Sequence, residues 1–243
     1  MKVIAIVQAR TGSTRYPQKV FASLADQPLI WHVFDRLSFS KKIDEVLLAT
    51  TTNKNDDSLE AWATGNNIKV YRGSENNVLE RYYEAAKKHH ADIIVRITAD
   101  DPFKDPTIID AVIDLILNEQ LDFAYNNNPP SFPEGLDTEV FTFQVLELAH
   151  QNARDDFERE HVTQYFYRNP GLFKHKNFAC KENISHLRWT LDTPTDYAMA
   201  QEVYEHLYKE GSIFLMNDIL QLLKEYPSIA SMNMDVKRSA MYS

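Results

Sequence analysis

One cysteine, Cys180, stands alone among 243 residues, so no disulfide can close within the chain. Apolar runs are short as well: none approaches the ~20 residues that cross a bilayer, and Met1-Lys2-Val3-Ile4 opens without the long apolar core of a secretion signal. These absences predict a cytoplasmic protein with no membrane partner. Cations are in deficit, with 26 Lys and Arg against 35 Asp and Glu and a formal charge of −9. That balance argues against a general binder of nucleic acid or anionic membrane, because either surface demands an excess of positive charge. Basic residues must therefore be spent locally. Internal repeats and low-complexity stretches are also lacking. What remains is ordinary globular composition, 44% hydrophobic and 25% charged, at a length that suits one large domain. Residues 1–225 are expected to form it, with 226–243 as a weakly patterned tail packed on the body or on a partner subunit.

The richest stretch is Gln8-Ala9-Arg10-Thr11-Gly12-Ser13-Thr14-Arg15-Tyr16-Pro17-Gln18-Lys19. It follows Val3-Ile4-Ala5-Ile6-Val7 directly, a short β-branched run of the kind buried on both faces of an α/β sheet. Such a loop sits at the strand's carboxyl end, where open α/β sheets bind ligands. Gly12 permits a tight turn and close backbone approach, Ser13 and Thr14 offer hydroxyls and amides, and Arg10, Arg15 and Lys19 supply positive charge. A polyphosphate fits this loop. A basic surface turn has the same composition, and the strand in front of it favours the ligand reading.

Strand-like runs then alternate with helical periodicity: strands at 45–50, 68–71 and 92–97, helices from Gln27, through Leu59 and Trp62, over 78–89 and over 106–117, and a further strand at 121–125. This is the pattern of a parallel sheet with helices on both faces. Thr98-Ala99-Asp100-Asp101-Pro102 ends the fourth strand and brings two carboxylates to the crevice the first loop faces, which makes them candidates for magnesium ligation; Asp-Pro also suits a plain turn. The segment 126–135, with Asn-Asn-Asn-Pro-Pro, reads as a turn-rich flap or binding loop. Leu136 to Phe141 alternates like a strand, with Asp137 and Glu139 on one face. A helix over 155–168 would place His161 and Tyr165 on one face, where packing is the commoner role and substrate contact the alternative. Strands are predicted at 176–180 and 187–191, the second running into Asp192-Thr193-Pro194-Thr195-Asp196, where Asp192 suits either a helix cap or a functional role. Helices at 195–209 and 216–225 close the pattern.

Taken in order, Gln-Ala-Arg-Thr-Gly-Ser-Thr-Arg-Tyr-Pro-Gln-Lys, Arg-Ile-Thr-Ala-Asp-Asp-Pro, Gly-Leu-Asp-Thr-Glu-Val-Phe, Arg-Glu-His-Val-Thr and Leu-Asp-Thr-Pro-Thr-Asp-Tyr resemble the SpsF-like cytidylyltransferases of spore-coat polysaccharide biosynthesis. More distantly they resemble acylneuraminate and 3-deoxy-manno-octulosonate cytidylyltransferases. The resemblance spans residues 3 to about 207 and implies a single-domain α/β fold of the nucleotide-diphosphosugar-transferase type, a Rossmann-like sandwich on a mostly parallel sheet. It implies transfer of CMP from CTP to a sugar acid or related hydroxyl acceptor, with Mg2+ as cofactor and pyrophosphate released. By position, Arg10, Arg15, Lys19 and Asp100 would be catalytic, and Ala9, Arg10, Gly12, Ser13, Arg15, Lys19, Thr51 and Arg72 would bind the nucleotide. Asp137, Glu139, His161 and Tyr165 would bind the acceptor, and Asp100 and Asp192 the metal. The resemblance further implies a homodimer. Gln18 stands where the family often has glycine, Ala99 likewise, and Asp101 is an added carboxylate.

Two other readings are distinguishable. A sugar-1-phosphate nucleotidyltransferase using another NTP would open with Gly-Gly-x-Gly-Thr-Arg, which is absent. A catalytically silent nucleotide-binding protein would have no need of Asp100 and Asp192 beside the basic loop.

Overall fold

The computed structural model describes residues 1–13 and 16–237. Strand β1 (Val3–Gln8) leads through a short hairpin, β2 (Ser23–Leu24) and β3 (Gln27–Pro28), into helix α1 (Leu29–Ser38). There follow β4 (Glu45–Thr51), α2 (Asp57–Gly65), β5 (Lys69–Gly73), α3 (Val78–Lys88), β6 (Ile93–Thr98), α4 (Pro106–Glu119), β7 (Phe123–Tyr125) and β8 (Glu139–Thr142). The rest comprises α5 (Phe143–Asn152), α6 (Asp156–Glu160), α7 (Gln164–Arg168), β9 (His175–Asn177), α8 (Pro194–Leu207), α9 (Met216–Glu225) and α10 (Pro227–Ser231).

The main sheet has seven strands in the order β5-β4-β1-β6-β8-β7-β9. β1 pairs in parallel with β4 and with β6, and only β8 runs antiparallel to its neighbours. β1 is central and covered on both faces, which is why its sequence is apolar without alternation. Val3, Ala5 and Val7 pack into a core with Leu29, Val33, Val112 and Val203. Ile4 and Ile6 face the other way, against Leu79 and Tyr82 of α3 and Phe141. Each such side chain removed from water contributes roughly 1.5–3 kcal/mol, so register is fixed strongly here: a slip of one residue would exchange the faces. The chain leaves β1 toward β4 on one side and returns from β5 to β6 on the other. The strand order therefore reverses at β1, and a crevice opens beyond the carboxyl ends of β1 and β6, where Gln8 is level with Thr98.

Several elements differ from expectation. Residues 187–191 form no strand; Arg188 makes a single bridge with Glu134, and the neighbouring backbone is spent on Trp189 N–H to the Glu134 carbonyl (2.7 Å) and Leu191 N–H to the Asp100 carbonyl (2.9 Å). β9 is shorter and earlier than the predicted 176–180. The helix expected over 155–168 breaks: α6 ends at Glu160, Val162 takes φ 48°, and α7 starts at Gln164. The break buries Val162 completely and turns the Thr163 hydroxyl onto Glu139 Oε1 at 2.9 Å, so His161 and Tyr165 do not share a helical face. The segment 126–135 is knitted in rather than flapping: Asn126 Nδ2 donates to the Leu136 carbonyl and its Oδ1 accepts from Thr138 N–H, and Phe132 is buried. Residues 226–237 pack on the body, with Ile229 in the core and Asn233 Nδ2 donating to the Arg188 carbonyl and Asp196 Oδ1; the rest of the expected tail, 238–243, lies outside the described residues.

Gly135 has φ 104°, and a Cβ there would lie 2.7 Å from Thr190 N and from the Trp189 carbonyl carbon. Gly135→Ala is expected to destabilise by about 3 kcal/mol or more, from left-handed strain and a backbone clash together. Urea unfolding followed by circular dichroism measures it; a loss under about 1 kcal/mol would contradict this packing.

Candidate active site

At the carboxyl ends of β1 and β6 lies a cavity of about 620 Å³. Its wall takes Ala9, Arg10, Ser13 and Lys19 from the first loop, Asp100 from the segment after β6, and Asp192 from the corner before α8. The loop is anchored from beneath. Thr11 donates both its amide and its hydroxyl to Asp56 Oδ1, each at 2.8 Å, while Thr51 donates its hydroxyl to the other oxygen of Asp56. Gln18 holds φ 54°, a left-handed turn that explains why glycine suits the position, and this turn delivers Lys19 into the crevice. Arg15 lies outside the described residues.

Lys19 Nζ stands 2.6 Å from Asp100 Oδ2 and 2.6 Å from Asp192 Oδ1. Burial works against the lysine's charge, but the two carboxylates outweigh it and hold its pKa above the ordinary value. Burial likewise works against ionised Asp100, and Lys19 prevails, keeping that carboxyl below its usual range. The segments bearing the two acids are tied by the Leu191–Asp100 backbone bond. Asp101 turns away. It is buried, accepts from the Thr98 hydroxyl at 2.6 Å and pairs with Lys104 Nζ at 2.9 Å; burial and the neighbouring Asp100 charge hold its pKa up in spite of Lys104.

Asp192 is fixed from behind. Arg188 spans three carboxylates, with Nη1 on Glu134 at 2.6 Å, Nη2 on Asp192 at 3.1 Å and Nε on Asp196 at 2.9 Å. The cap of α8 is Thr193, in a reciprocal box with Asp196. Capping therefore does not occupy the Asp192 carboxylate.

The other expected site residues divide. His161 reaches the cavity wall, with burial holding its pKa below the ordinary imidazole value. Thr51, Arg72, Asp137, Glu139 and Tyr165 do not line the cavity. Arg72 clamps the turn after β4 through the carbonyls of Thr51 and Asn53 and pairs with Asp57 and Glu60. Asp137 Oδ2 accepts from Gly135 N–H, Glu139 binds Arg96, Thr163 and Tyr167 inside the fold, and Tyr165 packs near Phe173. Gly12 has open space around it. The sequence reading did not single out Gln8, Glu75 or Arg81, which line the cavity. Gln8 had a signal, being the polar residue that ends an apolar strand at its carboxyl edge.

A family model described as Cytidylyltransferase matches residues 4–230. An uncharacterized protein of Methanocaldococcus jannaschii is 37% identical over 242 residues, 99% of this chain and 98% of its own length. The spore coat polysaccharide biosynthesis protein SpsF of Bacillus subtilis is 30% identical over 236 residues, 94% of this chain and 97% of its own. The solved structure of a cytidylyltransferase from Leptospira borgpetersenii superposes with a TM-score of 0.91 at 34% identity, over 98% of this chain and 99% of that one.

Removing Arg188 would leave Glu134, Asp192 and Asp196 facing one another without their shared cation. Arg188→Gln is expected to cost about 3–5 kcal/mol at pH 7. The sign with pH is opposite in the two proteins. In the wild type, burial opposes the charge of Asp196, but Arg188 and Asn233 lower its pKa, so its contribution is present above the ordinary carboxylate pKa and lost as pH falls below that. In the variant the crowded carboxylates are harder to ionise, and stability should recover as pH falls from 7 toward 5. Urea unfolding across that range should show the gap narrowing; a constant gap would contradict the electrostatic account.

Proposed function

The chain belongs to the cytidylyltransferase family, and we propose that it transfers CMP from CTP to the hydroxyl of a sugar acid, releasing pyrophosphate, in the building of a surface polysaccharide or glycoconjugate. The observation that carries this reading is the meeting of Lys19 with Asp100 and Asp192 on the wall of a cavity at the sheet's switch point. The acceptor class rests on the resemblance of the ordered motifs to sugar-acid cytidylyltransferases, and the polysaccharide setting on the likeness to the Bacillus subtilis protein.

The acceptor oxygen displaces pyrophosphate at the α-phosphorus, so the protein's task is charge control and alignment. In this reading Arg10, Arg15 and Lys19 neutralise the triphosphate and the charge that grows on the leaving pyrophosphate. Backbone amides at Gly12 and Ser13 add donors. His161 faces the acceptor, while Thr51, Arg72, Asp137, Glu139 and Tyr165 hold the walls in place.

Two carboxylates already converge on one cation, the Lys19 ammonium, and they are hard oxygen donors. Among the described residues no cluster of three or more metal-binding side chains occurs. That donor set fits Mg2+, which is commonly held by one or two carboxylates with water and substrate phosphates completing its shell. Asp100 and Asp192 would hold it. Bound there, the ion would polarise the α-phosphate and favour ionisation of the acceptor hydroxyl.

The same reading takes the enzyme as a cytoplasmic homodimer. No helix among the described residues is long and apolar enough to cross a membrane, and the 126–180 segment exposes Leu148, Phe157 and Leu172. Light scattering should give twice the mass of the 28.2 kDa chain; a monomer would remove the dimer and leave the chemistry standing.

Pyrophosphate release, measured for a matrix of nucleotides against sugar acids, is expected with CTP and to vanish in EDTA. Lys19→Ala should lower the rate about a hundredfold, and Lys209→Ala should leave it unchanged. Full turnover in chelator, a preference for UTP with a sugar phosphate, or equal rates for the two lysine variants would contradict the reading.

A further inference from the structure

Asn233 is a buried polar side chain in an exposed stretch. It is 3% exposed, between Met232 at 37% and Met234 at 68%, and among the described residues after α10 it alone is buried. A side-chain amide nitrogen carries two hydrogens, and Asn233 spends both inside the fold. Its Nδ2 donates to the Arg188 carbonyl at 3.0 Å and to Asp196 Oδ1 at 2.9 Å.

Both acceptors belong to the surroundings of Arg188. One is its own backbone carbonyl, and the other is the carboxylate that accepts from its Nε at 2.9 Å. Asn233 therefore fixes the main chain of Arg188 and the partner of its side chain together. Two routes lead from there to Asp192. On the first, Arg188 Nη2 donates to Asp192 Oδ2 at 3.1 Å, while Asp192 Oδ1 meets Lys19 at 2.6 Å. On the second, Asp196 Oδ2 accepts from the backbone amides of Asp192 at 3.0 Å and Thr193 at 2.9 Å. The carboxylate that Asn233 holds by one oxygen thus sets the main chain of Asp192 through the other.

We propose that Asn233 is a positioning residue for the reaction: through it the segment after α10 holds Arg188 and Asp196 so that the Asp192 carboxylate stays aimed at Lys19. The inference rests on the proposed transfer of CMP from CTP. Asn233 does not line the cavity and acts at one remove from the substrates. An apolar side chain of similar size would fill its space and supply no donor, and an aspartate would set a second carboxylate against Asp196. Partners that orient the carboxylates of a metal site typically account for about 10–100-fold in activity, and Asp192 is one of the two carboxylates given that role. A role in packing alone is separable from this one, because Ile229 anchors the same segment by apolar burial in the core.

The test compares Asn233→Leu, Asn233→Ser and Ile229→Val with wild type in three measurements. These are pyrophosphate release from CTP with magnesium and the sugar acid that gives the fastest wild-type rate, calorimetric titration of CTP with magnesium and no acceptor, and thermal unfolding by circular dichroism. Asn233→Leu should lower kcat about tenfold or more while the affinity for CTP stays within about threefold. Ile229→Val should lower the unfolding midpoint and keep kcat within about twofold. Should Asn233→Leu fail to fold, Asn233→Ser decides alone on the same expectation. A loss of kcat smaller than about tenfold in the folded variant, a matching loss of CTP affinity, or an Ile229→Val defect in kcat as large as that of the Asn233 variant would overturn the inference and leave CTP as substrate. A wild type that releases no pyrophosphate from CTP with any sugar acid would overturn the functional reading and this inference with it.

Discussion

The carboxylate of Asp192 is shared between two cations, and much of the site follows from that sharing. On one side it takes Lys19 at 2.6 Å, on the other Arg188 at 3.1 Å. Through Lys19 it is joined to Asp100 and the end of β6; through Arg188 to Glu134, Asp196 and the first turn of α8. One chain of alternating charge thus fastens the first loop, the crevice floor and the carboxyl-terminal helices together. Buried ion networks are often no more stabilising than the apolar packing that could replace them. Their presence at the sheet's switch point fits a chemical use, where fixed charge of both signs must be ready before a highly charged substrate arrives.

The network also explains why neighbouring acids differ. Asp100 and Asp101 are adjacent, yet one faces Lys19 and the cavity while the other is absorbed by Lys104 and Thr98. Asp192 and Asp196 are four residues apart, yet Asp196 is spent on the cap of α8, on Arg188 and on Asn233, while Asp192 meets Lys19. A carboxylate's availability here is decided by which cation and which backbone amides surround it, more than by its place in a motif.

That distinction marks what the sequence could reveal. The parallel strands were legible because Val3–Val7 and the centres of the next two parallel strands, 47–49 and 93–95, are buried on both faces and carry apolar residues only. Lys19, Asp100 and Asp192 were legible because each follows a readable stretch and falls in an ordered motif. That Thr51, Arg72 and Glu139 do not line the cavity was not, since a polar residue behind a cavity wall and one facing it look alike in one dimension. The broken helix at Val162 was hidden because its cause, Glu139 accepting from Thr163, lies on a distant strand. Residues 187–191 alternate like a strand, but their hydrogen bonds go to Glu134 and Asp100 rather than to a sheet edge. Arg81 gave no sign at all, because an arginine on an amphipathic helix is ordinarily at the surface.

The central claim is that the carboxylate facing Lys19 belongs to the reaction centre and its sequence neighbour does not. Pyrophosphate release from CTP as a function of magnesium concentration, for Asp100→Asn and Asp101→Asn, tests it most directly, because each substitution keeps shape and removes one charge. Asp100→Asn should lose about a hundredfold or more in turnover with the fold intact, and Asp101→Asn much less. Equal losses, or the reverse order, would contradict the account.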